Sequence, residues 1–432
     1  MSNQTTKDID IISLTSEQRK NIELQLQTYT TRQLFIKIEI IDTKNNVVAE
    51  VSGRAISGNY NIDSSSSVRR TCSVTFCLEE NFLPKENSVF WINKKFKLYT
   101  GLKKIDENYI YWFNKGVYAI KDPTVNVSIS DNTITISGLD KASIYNGDIS
   151  GQLEYETIIE VESGAYAHEA ISGIMRDGGE TKLLISNTDL KIPYKIESAI
   201  GDVRWDIVDE LTNLFYNYQA YYNIDGYFVF EEKPMYQSNK EHINDIAIDF
   251  SEDYKNTVLQ TKPHNLIISI NREIAYSNIK NKVVVYGGVH NDGYQPRYEI
   301  RVDNNSYHDS PYTVEKLNER NSDGSLIYRT LVIQDDSYVD DGVAENETDN
   351  METVHAYSID LCKQRAIQEV YLHQQATDKI TINCIPIYSL DVNEVIYVDD
   401  SKSGAIGEYV INNISCGLGA GDTMSITANK LW

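Results

Sequence analysis

Polar and apolar residues alternate through much of the first third of the chain, a pattern typical of strands that are buried on one face. Cys72, Val74 and Phe76 fall on one face of such a strand, while threonine and serine occupy the other. Short strands recur without a central helix, so residues 31–149 predict a sandwich or small barrel. The predicted strands of this region are residues 33–41, 47–56, 69–78, 109–113 and 117–120.

A two-strand pattern occurs twice in the chain. Tyr118 lies 18 residues before Ile136, and Tyr409 lies 17 residues before Ile426. Each tyrosine follows a glycine by two positions, and each copy reads as two alternating strands joined by a loop. We interpret this as one β-unit present twice, although tyrosine and isoleucine are common enough here for a chance match. The residues that define the repeated motif are Gly116, Tyr118, Gly407 and Tyr409.

The spacing of apolar residues becomes helical in residues 150–261. A helix is predicted over residues 165–176, and a second helix is predicted to begin with Asp202 as its N-cap. Asp225 and Gly226 stand between two aromatic strands, which predicts a hairpin whose type I′ turn needs positive φ at both residues. These features predict an α+β module inserted between two β-rich regions.

The remaining segments complete the predicted organisation. Residues 1–30 form an N-terminal arm with a short helix, and residues 262–299 and 374–432 form a second β-barrel. Residues 300–373 form a long loop insertion followed by a connecting helix. The predicted fold class is therefore mainly β, with two barrels, an inserted α/β module and a loop insertion.

Composition limits the classes of partner. The formal net charge of -23 excludes a general nucleic-acid binder, because phosphate contacts need a basic surface. It is compatible with ordinary solubility or with a surface that DNA passes without sticking. The five cysteines match no zinc spacing, and we expect reduced, mostly buried thiols from cytosolic synthesis. We expect no signal peptide and no membrane-spanning segment, since no suitable apolar run is present.

Candidate chemistry is sparse. His168 and Glu169 begin like a zinc-protease helix, but Ser172 stands where the second histidine ligand is needed. The acidic run over residues 335–341 is rich in oxygen ligands yet departs from EF-hand spacing, so a solvated loop is the main interpretation and calcium the alternative. No nucleophile elbow, phosphate-binding loop or dinucleotide motif occurs. The sequence therefore predicts no catalytic residue, no cofactor and no metal.

Taken in order, these segments resemble the baseplate hub proteins of tailed phages and of phage-like contractile machines. The resemblance covers residues 30–432 and departs in the N-terminal arm and in residues 300–350. The segments that carry the resemblance are Lys115-Gly116-Val117-Tyr118-Ala119-Ile120, Trp205, the hairpin at residues 222–230, residues 283–288, Asn393-Glu394-Val395-Ile396-Tyr397-Val398 and Gly407-Glu408-Tyr409-Val410-Ile411.

The resemblance implies a structural role. Such hubs contain two tube-like β-barrel domains per chain, and three chains place six barrels in a ring that adapts the tail tube to the central spike. The implied partners are further copies of the chain, the tail tube protein, a central spike or tape-measure protein, and baseplate wedge or distal tail proteins. DNA passes through the lumen without specific binding. The implied location is the tail tip of the virion, after synthesis in the bacterial cytoplasm.

Two other functions remain open at this point. One is a distal-tail or receptor-binding protein that holds host surface carbohydrate with exposed tyrosine and tryptophan. The other is a tail-associated hydrolase that uses Asp202, Asp206 or Glu210, because paired carboxylates can cleave glycosidic bonds when they face each other across a cleft. On a helix with this apolar stripe, however, the same acids also read as a solvated face.

Overall fold

The structure, a computed structural model, describes residues 7–11, 33–53, 55–92, 94–103, 109–235, 246–252, 262–307, 310–340, 355–419 and 421–431. Within these residues the chain is mainly β, and its largest sheet contains 14 strands. The strand pairs described for this sheet leave open ends, so they do not close it into barrels. No helix of the described residues is long and apolar enough to cross a membrane.

Two groups of strands form this sheet, and we call them the first and second β-units. A short strand, β1 (Lys7–Ile11), adds to the first unit by pairing in parallel with β7. The first β-unit consists of β2 (Leu34–Ile41), β3 (Val47–Ser52), β4 (Ala55–Asp63), β5 (Arg70–Cys77), β6 (Lys95–Lys103), β7 (Tyr109–Val127) and β8 (Asn132–Asp140). The second β-unit consists of β14 (Ile246–Ser251), β15 (Ile267–Ile274), β19 (Asp378–Cys384), β20 (Val395–Asp400), β21 (Ala405–Gly417) and β22 (Met424–Lys430).

The chain between the two units forms smaller layers. Its elements are β9 (Glu160–Val161), α1 (Ala167–Asp177), β10 (Leu183–Ile185), β11 (Ile196–Glu197), α2 (Arg204–Leu214), β12 (Tyr218–Tyr222), β13 (Phe228–Glu232), β16 (Lys282–Tyr286), β17 (Arg297–Arg301), α3 (Val314–Leu317), β18 (Thr330–Gln334) and α4 (Ala356–Gln375). Strands β12 and β13 make a hairpin that β10 extends, and helices α1 and α2 belong to the same part of the chain. A separate sheet has the order β17-β16-β18, and the long helix α4 packs against β16 and β17.

Burial follows the alternation of the sequence. In β5, Cys72, Val74 and Phe76 are buried, while the intervening threonines and serine are half-buried, as predicted. One apolar core joins the interiors of both β-units, and a second core lies under α1, α2 and α4. All five cysteines are free thiols, and Cys77 is the exposed one.

Several predicted elements differ from the structure. Residues 109–113 and 117–120, predicted as two strands, belong to the single strand β7, because one irregularity in its pairing with β6 absorbs an extra residue without ending the strand. Asp202 is not an N-cap: α2 begins after Val203, and the Asp202 carboxylate instead accepts from the backbone N–H of Ala199 at 2.6 Å. The helix predicted in the N-terminal arm lies outside the described residues.

The region predicted as a loop insertion contains a sheet. The sequence predicts β16 as part of the second barrel, but this strand pairs with β17 on one side and with β18 on the other. Strand β18 lies inside residues 300–350, where polar turn residues hide a short strand from sequence analysis. The helix predicted to follow is present as α4, with Cys362, Ala366 and Val370 buried along one face.

Candidate assembly site

The two β-units repeat the same topology over five strands. The order β4-β5-β8-β7-β6 in the first unit matches β15-β19-β22-β21-β20 in the second, and every neighbouring pair in both runs is antiparallel. The sixth strand differs, because β2 runs antiparallel to β6 whereas β14 runs parallel to β20. The repeated sequence motif therefore corresponds to a repeated arrangement of strands.

The glycines of the motif occupy equivalent points. Gly116 has φ 135° and pairs with Leu98, and Gly407 has φ 121° and pairs with Val398. A side chain is strained at such φ values, so glycine is the residue these points require. In each unit a buried tyrosine lies two positions after the glycine.

The tyrosines of the motif also occupy equivalent positions in the two units. Tyr118 and Tyr409 are both fully buried, and they pair with Phe96 and Ile396 on the preceding strand of their units. The Tyr118 hydroxyl donates to the carbonyl of Lys115 at 2.7 Å. Both tyrosines belong to the shared core of the sheet, so their role is packing.

The two units join through a strand ladder that we call the seam. Strand β20 accompanies β21 only as far as Val410, and β4 then takes its place. Residues 413–417 of β21 pair antiparallel with residues 59–63 of β4. Since β22 covers the other edge of β21, β4 and β20 share one edge of that strand.

Among the described strands, none occupies the equivalent edge in the first unit. Strand β6 accompanies β7 only as far as Ala119, and of the described strands only β8 pairs with residues 121–127. Val127 at the end of this stretch is 72% exposed. The first unit thus presents a free edge at the place where the second unit holds β4.

A second free edge lies at the far end of the sheet. Strand β15, the counterpart of β4, pairs with β19 and is the last strand of the described sheet path. Its apolar residue Ile268 is 60% exposed. An open edge with exposed apolar side chains can accept a further strand.

Buried cations lie where the units meet. The Arg70 guanidinium pairs with the Asp391 carboxylate at 2.6 Å, and Lys115 Nζ donates to the carbonyl of Tyr388. Burial lowers the pKa of Lys115 to about 8, although the nearby Asp391 carboxylate acts to raise that pKa. These contacts join β5 and β7 of the first unit to the loop between β19 and β20 of the second.

The hairpin of the α+β module docks on the first unit beside the repeated motif. Asn114 Nδ2 donates to the carbonyl of Ile224 at 3.0 Å and to the Asp225 carboxylate at 3.1 Å. Lys141 Nζ donates to the carbonyl of Gly226 at 3.0 Å. The structure therefore brings Gly116, Asp225 and Gly226 to one place on β7, while Gly407 and Tyr409 lie in the second unit.

The turn of this hairpin is not of type I′. Gly226 has φ 73°, but Asp225 is not among the described residues with positive φ. The Gly226 N–H donates to the carbonyl of Asn223 at 3.0 Å, so Ile224 and Asp225 are the central residues of the turn. The hairpin was predicted correctly, whereas its turn is longer and places only the glycine in the left-handed region.

The free edges were missed in the sequence, although a signal for them was present. Aligning Gly116 with Gly407 and Tyr118 with Tyr409 makes residues 122–126 equivalent to residues 413–417, which form the seam. An irregularity in pairing also lies at the start of each stretch, between Lys121 and Thr124 in β7 and between Ile411 and Asn413 in β21. A strand that continues past such an irregularity with one edge unpaired offers that edge to another strand.

The candidate hydrolase residues serve other contacts. Glu210 accepts from the Tyr194 hydroxyl at 3.3 Å, and Asp202 accepts from a backbone N–H. Burial raises the pKa of the neighbouring Asp209 to about 6. These contacts account for Asp202 and Glu210 by local structure, and Asp206 lies in the first turn of α2.

The alternatives of a sugar site and a calcium site gain no support. A cleft of about 940 Å³ lies between the module and the second unit, but the ring of Tyr216 there already has Arg365 at 3.3 Å and Lys233 at 4.4 Å from its centroid. In the acidic run, Asp335 accepts from Ser337, whereas Asp340 accepts from Ser358 and contacts His355. The described carboxylates of the run thus do not form one oxygen cage.

Comparison with solved structures identifies the fold. A 43 kDa tail protein of prophage MuSo2 from Shewanella oneidensis matches with a TM-score of 0.54 and 10% identity, covering 92% of this chain and 98% of that one. The tail protein from Neisseria meningitidis matches with a TM-score of 0.56 and 9% identity, covering 91% and 96%. A Francisella PdpA–VgrG complex matches with a TM-score of 0.50 and 9% identity, covering 92% of this chain and 53% of that chain.

The chain is thus structurally similar to phage tail proteins over most of its length, and the resemblance drawn from the sequence is confirmed at the level of the fold. A family model described as a domain of unknown function, DUF5048, matches residues 342–432. The comparison with curated proteins gave no significant match.

Proposed function

We propose that the chain is a structural hub protein of a phage-type tail, with no catalytic activity of its own. Three copies form a ring that adapts the six-fold tail tube to the three-fold central spike, and each β-unit serves as a tube-like barrel domain of that ring. The fold shared with phage tail proteins supports this proposal. The observation that supports it most directly is the seam between β4 and β21, because the two free edges of the chain, on β15 and β7, are the counterparts of these two strands.

The seam supplies a template for the contact between copies. Within the chain, β4 of the first unit lies against β21 of the second unit. Their counterparts β15 and β7 cannot meet in the same way within one chain if the ring is to continue. We therefore propose that β15 of one copy pairs with residues 121–127 of the next copy.

Equivalent positions fix the register of this contact. Tyr60 pairs with Cys72 in the first unit, and Arg272 pairs with Ile380 in the second unit. Cys72 and Ile380 hold the same place in their units, so Tyr60 and Arg272 are equivalent. The residue after Arg272, Glu273, is therefore equivalent to the residue after Tyr60, which is Asn61.

The same comparison fixes the other strand. Thr124 pairs with Thr135 as Ser415 pairs with Ser425, so Thr124 and Ser415 are equivalent. Ser415 faces Asn61 across the seam, and Asn61 corresponds to Glu273. Copying the seam onto the free edges places Thr124 of one copy opposite Glu273 of the next.

A contact of this kind joins two different surfaces and must close on itself to avoid an open filament. Six equivalent β-units close a ring when each is rotated by about 60° from the last, which requires three chains. The repeat within the chain supplies two such units, so a homotrimer gives six-fold pseudo-symmetry.

The proposed partners follow from this position in the tail. They are the tail tube protein, a central spike or tape-measure protein, and baseplate wedge or distal tail proteins. The similarity to a chain of the PdpA–VgrG complex supports a place in an assembly with other proteins. The net charge of -23 suits a lumen through which DNA slides, and a channel lined mainly by lysine and arginine would contradict that part of the proposal.

A cross-linking experiment tests the proposed contact. Thr124 and Glu273 are both exposed in the single chain, and directly opposed strand residues hold their Cβ atoms about 4.5–5.5 Å apart, close to the span of a disulfide. We expect the double variant Thr124→Cys and Glu273→Cys, in a Cys77→Ser background, to form a covalent ring of three chains on mild oxidation.

Matched controls separate this contact from random oxidation. Each single variant should remain uncross-linked, and so should a Val48→Cys and Glu273→Cys pair, since Val48 lies on a different exposed strand, β3. Cross-linking of the Val48 pair in place of the Thr124 pair would refute the register. A chain that stays monomeric at high concentration would refute the trimer.

A further inference from the structure

Three polar side chains from separate parts of the chain meet at one edge of the small sheet. His290 follows β16, and Asp340 follows β18. These two strands are parallel, so their carboxyl ends lie at the same edge. His355 comes directly before α4, which packs on this sheet.

The three side chains are close and buried. His355 Nδ1 lies 2.8 Å from Asp340 Oδ2, and His290 Nε2 lies 3.5 Å from the same oxygen. One nitrogen from each imidazole and one carboxylate oxygen all lie within 4.8 Å of one another. The side chains of His290, Asp340 and His355 are 7%, 6% and 6% exposed, so water competes little for them.

Neighbouring groups hold these side chains in one orientation. Asp292 Oδ2 lies 2.9 Å from His355 Nε2 and accepts the proton of that nitrogen, while Asp340 Oδ2 lies 2.8 Å from Nδ1, so a bound metal ion would take the place of the Nδ1 proton between His355 and Asp340. The backbone N–H and hydroxyl of Ser358 donate to Asp340 at 2.7 and 2.9 Å. The ring of Tyr294 stacks on His355 with 4.5 Å between centroids.

A carboxylate that accepts from the far nitrogen of a histidine is the usual outer support of a metal ligand in proteins. Two imidazole nitrogens with one carboxylate oxygen form a ligand set that suits zinc and similar transition metals, whereas calcium and magnesium prefer oxygen ligands alone. We propose that His290, Asp340 and His355 bind one divalent transition metal ion of the zinc type. The ion ties the segments after β16 and β18 to the start of α4.

Metal titration of the full chain tests this site. After dialysis against a chelator, the protein is titrated at pH 7.5 with Zn²⁺, and in parallel with Co²⁺ as an optical probe. We expect one ion per chain and the visible absorption of four-coordinate Co²⁺. Absence of stoichiometric binding in the wild-type chain would overturn the proposal.

Variants locate the ion. His290→Gln and Asp340→Asn should abolish stoichiometric binding, and Asp292→Asn should weaken it by about 10–100-fold, the usual effect of losing an outer support. His264→Gln is the matched control, because His264 lies 3.3 Å from the Asp400 carboxylate in a second group with Glu252. Binding that survives both ligand variants, or that is lost only in His264→Gln, places the ion elsewhere.

X-ray absorption of the zinc-loaded wild-type chain does not depend on how any variant folds. We expect two imidazole nitrogens at about 2.0–2.1 Å from the zinc, together with oxygen ligands. A spectrum with one imidazole or none would overturn the assignment.

Discussion

Two turns of this chain share the pattern Asn-x-Asp-Gly and the same hydrogen bonds. Gly226 donates to Asn223 O, and Gly324 donates to Asn321 O, each at 3.0 Å. The glycines have φ 73° and 83°. They differ in surroundings, because a Cβ at Gly226 lies 2.9 Å from Val117 Cγ2, whereas a Cβ at Gly324 meets nothing within 4 Å.

This pair separates backbone strain from docking. Gly226→Val should cost roughly 1–3 kcal/mol in backbone strain and, in addition, push the hairpin off β7. Gly324→Val carries the strain alone. We expect Gly226→Val to lower the unfolding midpoint further and to reduce trimer yield, with no catalytic phenotype. Equal losses in the two variants would show that the contact with Val117 is unimportant.

Lys115 makes a prediction about pH. Its pKa in the folded chain is about 8, below the ordinary value of 10.5, so above pH 8 the folded state loses this proton before the unfolded state does. Stability then increases with pH until the unfolded lysine also titrates. Between pH 7 and 9.5 the wild-type chain should gain about 1–2 kcal/mol relative to Lys115→Met.

Urea unfolding of both proteins at the two pH values measures this difference. Lys85→Met serves as the control, because the Lys85 side chain is 58% exposed. It should follow the wild-type pH response. A Lys115→Met chain with the same pH response as the wild type would mean that the Lys115 ammonium is not desolvated.

At the scale of strands and helices, the sequence predicts the burial pattern within one element, but it does not predict which elements pair with each other. The alternation in β5 and the stripe of α4 follow from burial on one face, which the sequence records directly. The run of valines in β16 indicated a buried strand but could not say which sheet holds it, since β17 and β18 lie beyond polar turns. His290, Asp340 and His355 likewise meet only through folding, because no regular spacing connects them.

The free edge of β7 gives a prediction at this scale. Val127→Lys places a charge where the next copy is expected to add a strand, and such charges block edge pairing. Since Val127 is 72% exposed, the stability of the single chain should change by less than about 0.5 kcal/mol. Trimer formation, followed by light scattering, should weaken strongly.

The matched control for Val127→Lys lies on β3. Val48 is 50% exposed, and Val48→Lys changes the same residue type on a strand that the seam template leaves out of the contact. It should assemble like the wild type. If Val48→Lys disrupts the trimer and Val127→Lys does not, the copies meet through β3.

At the scale of the whole molecule, the repeat decides the architecture. Five matching strands in each unit, joined by one seam, give the chain two β-units of the same topology, and under the proposed function each unit forms one sixth of a ring. The repeat could be recognised from the sequence because backbone geometry requires its glycines and core packing requires its tyrosines. The proposed pairing between copies could not be read directly, because its edges are found only when the two units are compared strand by strand.

Electron microscopy of the assembled particle tests this account most directly. We predict a three-fold density with six similar lobes around a central channel, two lobes from each chain, and with β15 of one chain beside β7 of the next. A particle whose two β-units lie at different distances from the axis, or whose lobes number other than six, would contradict it.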